Sequence, residues 1–177
     1  MAIFIHRFIG ALALDADAFE DIEHDRHANM QSILVVTAVC LAGGWAALSS
    51  GRAGIDSWVG GTIIALGAWL VWAGFIASIG TITIPAPETR SDLPELLRVL
   101  GFATAPGVFI ALTALTPAAP AVTALVGFWM LCASVIAVRQ ALDYRHFARA
   151  IAVCTIGSIL TAGLLALVGI ALTRTVH

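Results

Sequence analysis

The sequence predicts an all-α polytopic membrane protein: a bundle of about five transmembrane helices preceded by a short amphipathic N-terminal region. Of its 177 residues, 60% are hydrophobic and only 11% are charged, whereas about 25% of the residues in a soluble domain are charged. Five apolar stretches approach or exceed the roughly 20 residues that a helix needs to cross a bilayer. Because the chain has too few polar residues to cover a core in water, we expect lipid to be its solvent.

Residues 1–29 are predicted to form a cytoplasmic amphipathic and acidic region, and residues 30–177 the transmembrane helical domain. Four apolar residues of the first region are spaced three or four apart, as on one helical face. They are Ile5, Phe8, Ile9 and Leu12. Such a stripe beside a membrane domain is typical of a helix that lies in the membrane interface. We therefore expect Phe8 and Leu12 to contact lipid or a partner.

A second short helix is predicted to start at Asp17, because Glu20 follows three residues later in a pattern that resembles a capping box. Phe19 and Ile22 lie on one side of this helix. Acidic residues lie on the other side, namely Asp21, Glu23 and Asp25. The acidic side is either a solvated surface, which is the commoner case, or a docking patch for a partner.

The predicted spans are Met30–Ser50, Ser57–Thr81, Leu100–Thr116, Ala121–Arg139 and Ala148–Thr173. The third span is short and contains Pro106, which removes a helical hydrogen bond and favours a kink. Gly101 and Gly107 lie near this proline. A kinked crossing and a re-entrant hairpin are both compatible with this pattern, so four spans plus a hairpin is the alternative to five spans.

The distribution of arginine predicts the orientation of the chain. With the N-terminus in the cytoplasm, the cytoplasmic segments hold seven arginines and the outer segments hold only Arg52 and Arg174. Positive residues concentrate in the cytoplasmic loops of membrane proteins. We therefore expect the N-terminus in the cytoplasm and the C-terminus outside, in the cytoplasmic (inner) membrane of a bacterium.

Two loops on the cytoplasmic side carry further candidate contacts. In the first loop, which contains Arg90, Asp92 and Glu95 favour a helix start. The second loop contains Asp143, Tyr144 and Arg145. Arginine suits lipid phosphates and tyrosine suits the membrane interface. The candidate contacts with lipid or a partner are therefore Phe8, Leu12, Arg90, Asp143, Tyr144 and Arg145.

The chemistry-bearing residues give no indication of an enzyme. Apart from Arg139 and Arg149 at the edges, no Asp, Glu, Lys, Arg or His falls inside the spans, whereas proton relays and ion-coupled transporters carry such residues there. His24 and His27 with Glu20 make a weak metal pattern, which solvated histidines explain better. No catalytic motif occurs, and no basic run indicates nucleic acid. We expect no enzyme activity, cofactor or metal.

Small residues spaced four apart occur in several spans, a spacing that lets transmembrane helices approach closely. The pairs are Gly43/Ala47, Gly61/Ala65, Gly74/Ser78 and Ser158/Ala162. Each pair either packs within the bundle, which is the commoner case, or offers a surface to another chain. Trp69, Trp72 and Trp129 lie deep in their spans, where the indole N–H requires a partner.

Several short motifs resemble the bacterial branch of the Ypt-interacting-protein (YIP) family. They are Leu12-Ala-Leu-Asp-Ala-Asp-Ala-Phe19, Leu100-Gly-Phe-Ala-Thr-Ala-Pro106, Val138-Arg-Gln-Ala-Leu-Asp-Tyr144 and Arg149-Ala-Ile-Ala-Val-Cys154. The resemblance implies five spans and a cytoplasmic N-terminus. Eukaryotic members bind prenylated Rab-type GTPases, but their long cytoplasmic N-terminal region is reduced here to about 29 residues. The resemblance therefore implies an architecture and supplies no catalytic residue.

Three classes of function fit these observations. The favoured one is a non-enzymatic scaffold, assembly factor or accessory subunit of a larger membrane complex. The second is a lipid-handling or membrane-shaping protein, scramblase-like or related to curvature. The third is a small-solute channel. The expected partners are membrane lipids together with other membrane protein subunits or further copies of the chain, and not nucleic acid.

Overall fold

The computed structural model describes residues 2–51, 54–84 and 92–175, in which the chain is helical almost throughout and forms no strand. The α-helices of this part of the chain are α1 (Ala2–Ala13), α2 (Ala16–His24), α3 (Ala28–Ser49), α4 (Ile55–Ser78), α5 (Leu93–Ala103), α6 (Ala119–Ala141) and α7 (Phe147–Thr175). Helix α4 continues as a π-helical turn, Ile79–Thr83, and α5 continues as a 3₁₀-helix, Ala105–Leu115.

Five of these helical segments are long and apolar enough to cross a membrane, which confirms the predicted all-α polytopic bundle. They are Ala28–Ser49, Trp58–Thr83, Leu93–Leu115, Ala119–Ala141 and Phe147–Val168. Each overlaps one predicted span, and the chain is accordingly an integral membrane protein. The predicted start of the membrane domain, residue 30, lies close to the first residue of α3, Ala28.

The third span is an α-helix that continues as a 3₁₀-helix, and both parts run along α3 without turning back. Its α-helical part and its 3₁₀ part each contain 11 residues. At rises of about 1.5 Å and 2.0 Å per residue they extend roughly 16 Å and 22 Å, which together exceed the bilayer core of about 30 Å. The 3₁₀-helix begins at Ala105, next to Pro106, which has no N–H to donate to a helical hydrogen bond.

Two glycines bring the third span against α3. A Cβ atom on Gly101 would lie 2.6 Å from Cβ of Ser32, and one on Gly107 would lie 2.5 Å from Cγ1 of Val39. Only a residue without a side chain allows the two backbones to approach this closely. Ser32 precedes Val39 in α3 as Gly101 precedes Gly107 in the third span, so the two segments run parallel. Their close approach begins near the end of the bundle that carries α1 and α2 and continues toward the middle of the bundle.

The short helices begin where local hydrogen bonding favours it. The predicted start of α5 is confirmed: Asp92 and Glu95 form a capping box, in which the Glu95 carboxylate accepts a hydrogen bond from the Asp92 N–H at 3.0 Å. The predicted start of α2 is wrong by two residues. Asp15 is the N-cap, and its side chain accepts a hydrogen bond from the N–H of Asp17 at 3.1 Å, so α2 begins before the capping box inferred from the sequence.

Helices α1 and α2 pack onto the transmembrane bundle and share its core. Phe19 and Ile22 of α2 are completely buried in one cluster with Leu96 and Val99 of α5, as the apolar side of α2 predicts. The ring of Phe4 in α1 lies 6.1 Å from that of Phe102. We call the unit formed by residues 2–24 the N-terminal cap, and the end of the bundle that it covers the capped end.

The apolar stripe predicted on α1 is divided between the core and the surface. Phe8 and Leu12 are half-buried against the core cluster, whereas Ile5 and Ile9 remain 50% and 57% exposed. The packed face of α1 instead includes Arg7 and Ala11, which are buried. The sequence predicted the helix correctly, but the face of α1 that packs against the bundle is the one that carries Arg7 and Ala11.

Candidate functional site

Arg7 is a buried cation that joins α1 to α2 and α3. It is only 3% exposed, and its Nε and Nη1 atoms lie 2.7 Å from Asp21 Oδ2 and 2.8 Å from Asp25 Oδ2. Nη1 also donates a hydrogen bond to Oε1 of Gln31 at 3.2 Å. Asp21 and Asp25 of the predicted acidic side therefore pair with the buried Arg7, while Asp21 itself remains 56% exposed.

The protonation of these groups follows from their contacts. Burial would lower the pKa of Arg7, but the hydrogen bonds to Asp21 and Asp25 outweigh it, and the net pKa is raised. The pKa of Asp25 is lowered, first by the hydrogen bond that its carboxylate accepts from the His27 N–H and then by Arg7. The pair of Arg7 and Asp25 is therefore charged at neutral pH.

Arg98 provides a second buried cation beneath the cap. It is 4% exposed and donates hydrogen bonds from Nη1 to Oδ1 of Asn29 at 3.2 Å and from Nη2 to the carbonyl oxygen of Glu23. The Glu23 carbonyl belongs to the last turn of α2, where backbone oxygens lack helical donors. Arg98 thus holds the end of α2 against α5.

The C-terminal end of α1 is held against α6 by an indole. Nε1 of Trp129 donates a hydrogen bond to the carbonyl oxygen of Leu12 at 2.9 Å. At the same end, Gly10 allows Ala18 to approach, since a Cβ on Gly10 would overlap that of Ala18. Of the other deep tryptophans, Trp72 donates to Oγ of Ser158 at 3.1 Å, whereas Nε1 of Trp69 is buried and has no partner among the described residues.

Tyr144 lies inside the protein, although its sequence position suggested the membrane interface. It is 2% exposed, and its hydroxyl lies 2.7 Å from the carbonyl oxygen of Ile84 and 3.0 Å from that of Gly80. Burial raises the pKa of Tyr144, so the hydroxyl is protonated and donates. Its single hydrogen is shared between two carbonyl oxygens at the π-helical end of α4.

The other candidate contacts differ in their exposure. Asp143 and Arg145 are exposed at the capped end, and Arg90 lies outside the described residues. Asp143 has a φ of 51° and follows the C-cap of α6. The N–H groups of Asp143 and Tyr144 donate to the carbonyl oxygens of Gln140 and Arg139, the two bonds of a Schellman motif. The position of Asp143 in the sequence is therefore explained by the turn that ends α6.

Acidic side chains gather near Glu23 without forming a metal site. Burial raises the pKa of Glu23, and the carboxylates of Asp143, Glu95 and Glu20 raise it further. Nδ1 of His24 lies 2.9 Å from the carbonyl oxygen of Glu20, not from its carboxylate. Within the described residues, no group of three His, Cys, Asp or Glu side chains is arranged to hold a metal ion.

The structure leaves a row of small residues on α4 uncovered. The glycines at positions 60, 61, 67 and 74 would meet no atom within 4 Å if each gained a Cβ. By contrast, Gly157 of α7 packs against Ile76, since a Cβ on this glycine would lie 2.9 Å from Cγ1 of the isoleucine. Packing within the bundle therefore explains Gly157 and Ser158, whereas Gly61 and Gly74, which were expected to pack internally, face outward.

A second uncovered surface is an apolar groove between α6 and α7, with a volume of about 450 Å³. Its lining residues are Leu14, Phe128, Leu131, Cys132, Val135, Ile136, Phe147, Ile151 and Thr155. At the capped end of the groove, the guanidinium carbon of Arg139 lies 4.4 Å from the centroid of the Phe147 ring, a cation–π arrangement.

Sequence reasoning missed the two buried arginines because their partners are distant in the chain. Arg7 pairs with residues 14 and more positions away, and Arg98 bonds to residues 69 and 75 positions away. The only local indication was the position of each arginine within an otherwise apolar helical face. Comparison with models of known families, with curated proteins and with solved structures finds no match, so the resemblance to the YIP family remains a prediction.

Proposed function

We propose that this integral membrane protein is a non-enzymatic scaffold, assembly factor or accessory subunit that binds a transmembrane helix of another subunit through the uncovered face of α4. The observation that carries the proposal is the heptad spacing of small residues on that face. Gly60, Gly67 and Gly74 recur every seven residues, and Ser78 follows four residues later. We call this row the α4 glycine face.

The α4 glycine face alternates notches with ridges. Ile64 and Val71 lie between the glycines at heptad spacing and are 68% and 38% exposed. Residues that recur every seven positions stay on the side of a helix that faces a partner helix, when the two helices cross at a shallow angle. Glycine notches let a partner backbone approach, and the branched side chains then pack beside it, so the face suits a helix better than it suits flexible acyl chains.

The bundle itself uses the opposite side of α4. Ala73, Ile76 and Ala77 are buried there, and Trp72 is hydrogen-bonded to α7. On a helix with 3.6 residues per turn, these four positions are centred about 155° from the α4 glycine face. Packing within the bundle requires no glycine on the outward side of α4. A contact with another chain therefore accounts for the heptad spacing of these glycines.

The test is a native pull-down of the full chain in mild detergent, followed by mass spectrometry. Wild-type chain should recover a membrane protein neighbour in constant ratio, and Gly67→Leu should lose it, because the new side chain fills a notch without touching the rest of the monomer. Gly163→Leu is the matched control, since a Cβ at Gly163 also meets no atom within 4 Å but belongs to α7.

Retention of the neighbour by Gly163→Leu and its loss from Gly67→Leu supports the proposal. Recovery of the wild-type chain alone, or equal recovery of a neighbour by both variants, contradicts it. Recovery of only further copies of this chain identifies the α4 glycine face as a self-association surface and overturns the heteromeric interpretation.

A further inference from the structure

The groove between α6 and α7, together with Arg139 beyond its end, spans a length close to that of one leaflet of a bilayer. Phe128 and Leu131 line its deep part, and Val135 lines it nearer the capped end. From Phe128 to Arg139 the helix rises about 16 Å at about 1.5 Å per residue, close to half of a hydrocarbon core about 30 Å thick. An acyl chain that enters from one headgroup layer therefore extends along the groove to about the middle of the membrane.

The groove is open toward lipid and its walls are mostly apolar. Phe128, Leu131 and Ile151 are 65%, 41% and 51% exposed. Leu14, held in a left-handed conformation with a φ of 61°, contributes to the wall from the end of α1. Thr155 and Cys132 are the polar side chains among the lining residues, and the other walls are apolar and suit hydrocarbon.

Arg139 places a cation at the headgroup end of the groove. It lies one turn beyond Val135 on the same side of α6, and its guanidinium stacks on Phe147, which lines the groove. Its Nε is buried without a hydrogen-bond partner, and its side chain forms no ion pair, among the described residues. By contrast, Arg7 in the same end of the bundle is neutralised by two carboxylates.

We propose that the α6–α7 groove is a binding site for one anionic phospholipid, with an acyl chain in the groove and the phosphate on Arg139. A guanidinium forms charge-assisted hydrogen bonds with phosphate oxygens. The half-buried position of Arg139 beside an aromatic ring strengthens that attraction relative to a fully hydrated site. The site lies on α6 and α7 and is therefore separate from the α4 glycine face.

The test uses the purified full chain in mild detergent, titrated with phosphatidylglycerol or with phosphatidylcholine of the same acyl chains and followed by native mass spectrometry. Wild-type chain should retain one phosphatidylglycerol more strongly than phosphatidylcholine. Arg139→Gln should bind phosphatidylglycerol about tenfold more weakly, as expected for loss of charge-assisted hydrogen bonds. Arg139→Lys should recover part of the affinity, since the charge is kept.

Two controls separate this site from general attraction to the membrane surface. Arg149→Gln removes an exposed arginine outside the groove and should leave binding unchanged. Leu131→Trp should block the groove and weaken binding even if Arg139→Gln does not fold. Leu164→Trp, at an exposed position of α7 outside the groove, should leave binding unchanged. Equal binding by wild type and Arg139→Gln, equal losses in Arg139→Gln and Arg149→Gln, or equal affinity for both lipids would overturn the proposal.

Discussion

Nε of Arg7 lies 2.7 Å from Oδ2 of Asp21, and this contact joins α1 to α2 within the N-terminal cap. The arginine side chain is 4% exposed and that of the aspartate 56%, so the cation is enclosed while its partner reaches water. The pair therefore turns α1 so that Phe8 packs inward and Ile5 remains outside. A sequence pattern assigns an arginine in an apolar helix to the surface. Arg7 is instead buried and anchors α1 to α2.

Replacing Arg7 should loosen the cap. We expect Arg7→Met to lower the free energy of unfolding by about 2 kcal/mol, less than the 3–5 kcal/mol typical of fully buried pairs, because Asp21 and Asp25 can rehydrate. Thermal unfolding in detergent and limited proteolysis of residues 2–24 measure the effect. Arg26→Gln, at an exposed position, is the control. Equal protection of the N-terminal segment in Arg7→Met and wild type would refute the anchoring role.

Tyr144→Phe isolates the hydroxyl that holds the π-helical end of α4. The ring is kept, but the carbonyl oxygens of Gly80 and Ile84 lose their donor, which should cost about 1–2 kcal/mol. Amide hydrogen exchange in Ile79–Thr83 should accelerate while exchange in α6 stays constant. If exchange changes equally in both segments, or in neither, the hydroxyl does not act on that turn.

Gly101→Ala and Gly127→Ala form a matched pair in two transmembrane helices. Alanine favours both helices by about 1 kcal/mol relative to glycine, but the new Cβ meets Ser32 at 2.6 Å in the first variant and no atom within 4 Å in the second. We expect Gly101→Ala to be destabilised by about 1–3 kcal/mol through overpacking and Gly127→Ala to be unchanged or stabilised. Similar unfolding temperatures for the two variants would show that α3 and α5 can separate without cost.

Glu23 should make stability depend on pH. Its pKa is raised above the ordinary 4.5, chiefly by burial, so the folded state binds a proton that the unfolded state releases. The resulting stabilisation is complete below pH 4.5 and is lost as the pH rises through the folded pKa. Glu23→Gln should therefore unfold at a higher temperature than wild type at pH 7, with a smaller difference at pH 4.5. If the unfolding temperatures of Glu23→Gln and wild type, measured in parallel, differ by the same amount at both pH values, Glu23 does not titrate in this way.

The apolar segments and the irregularity of the third one at Pro106 could be predicted from the sequence, which left five spans and four spans plus a hairpin as alternatives. Both follow from interactions within a few residues: lipid requires every spanning helix to be continuously apolar over a set length, and proline disrupts the helix where it stands. The start of α5 was predictable for the same reason, since Asp92 and Glu95 complete their capping box within one turn.

Which surface each helix buries depends on long-range packing. Gly101 and Gly74 have the same chemistry and both lie in apolar helices, yet the first contacts Ser32 and the second meets no neighbour. Tyr144 is buried because α4 ends beside it, and Arg7 is buried because α2 returns across α1. These outcomes depend on which distant helices meet, a choice made by long-range packing and hydrogen bonding that no local pattern contains.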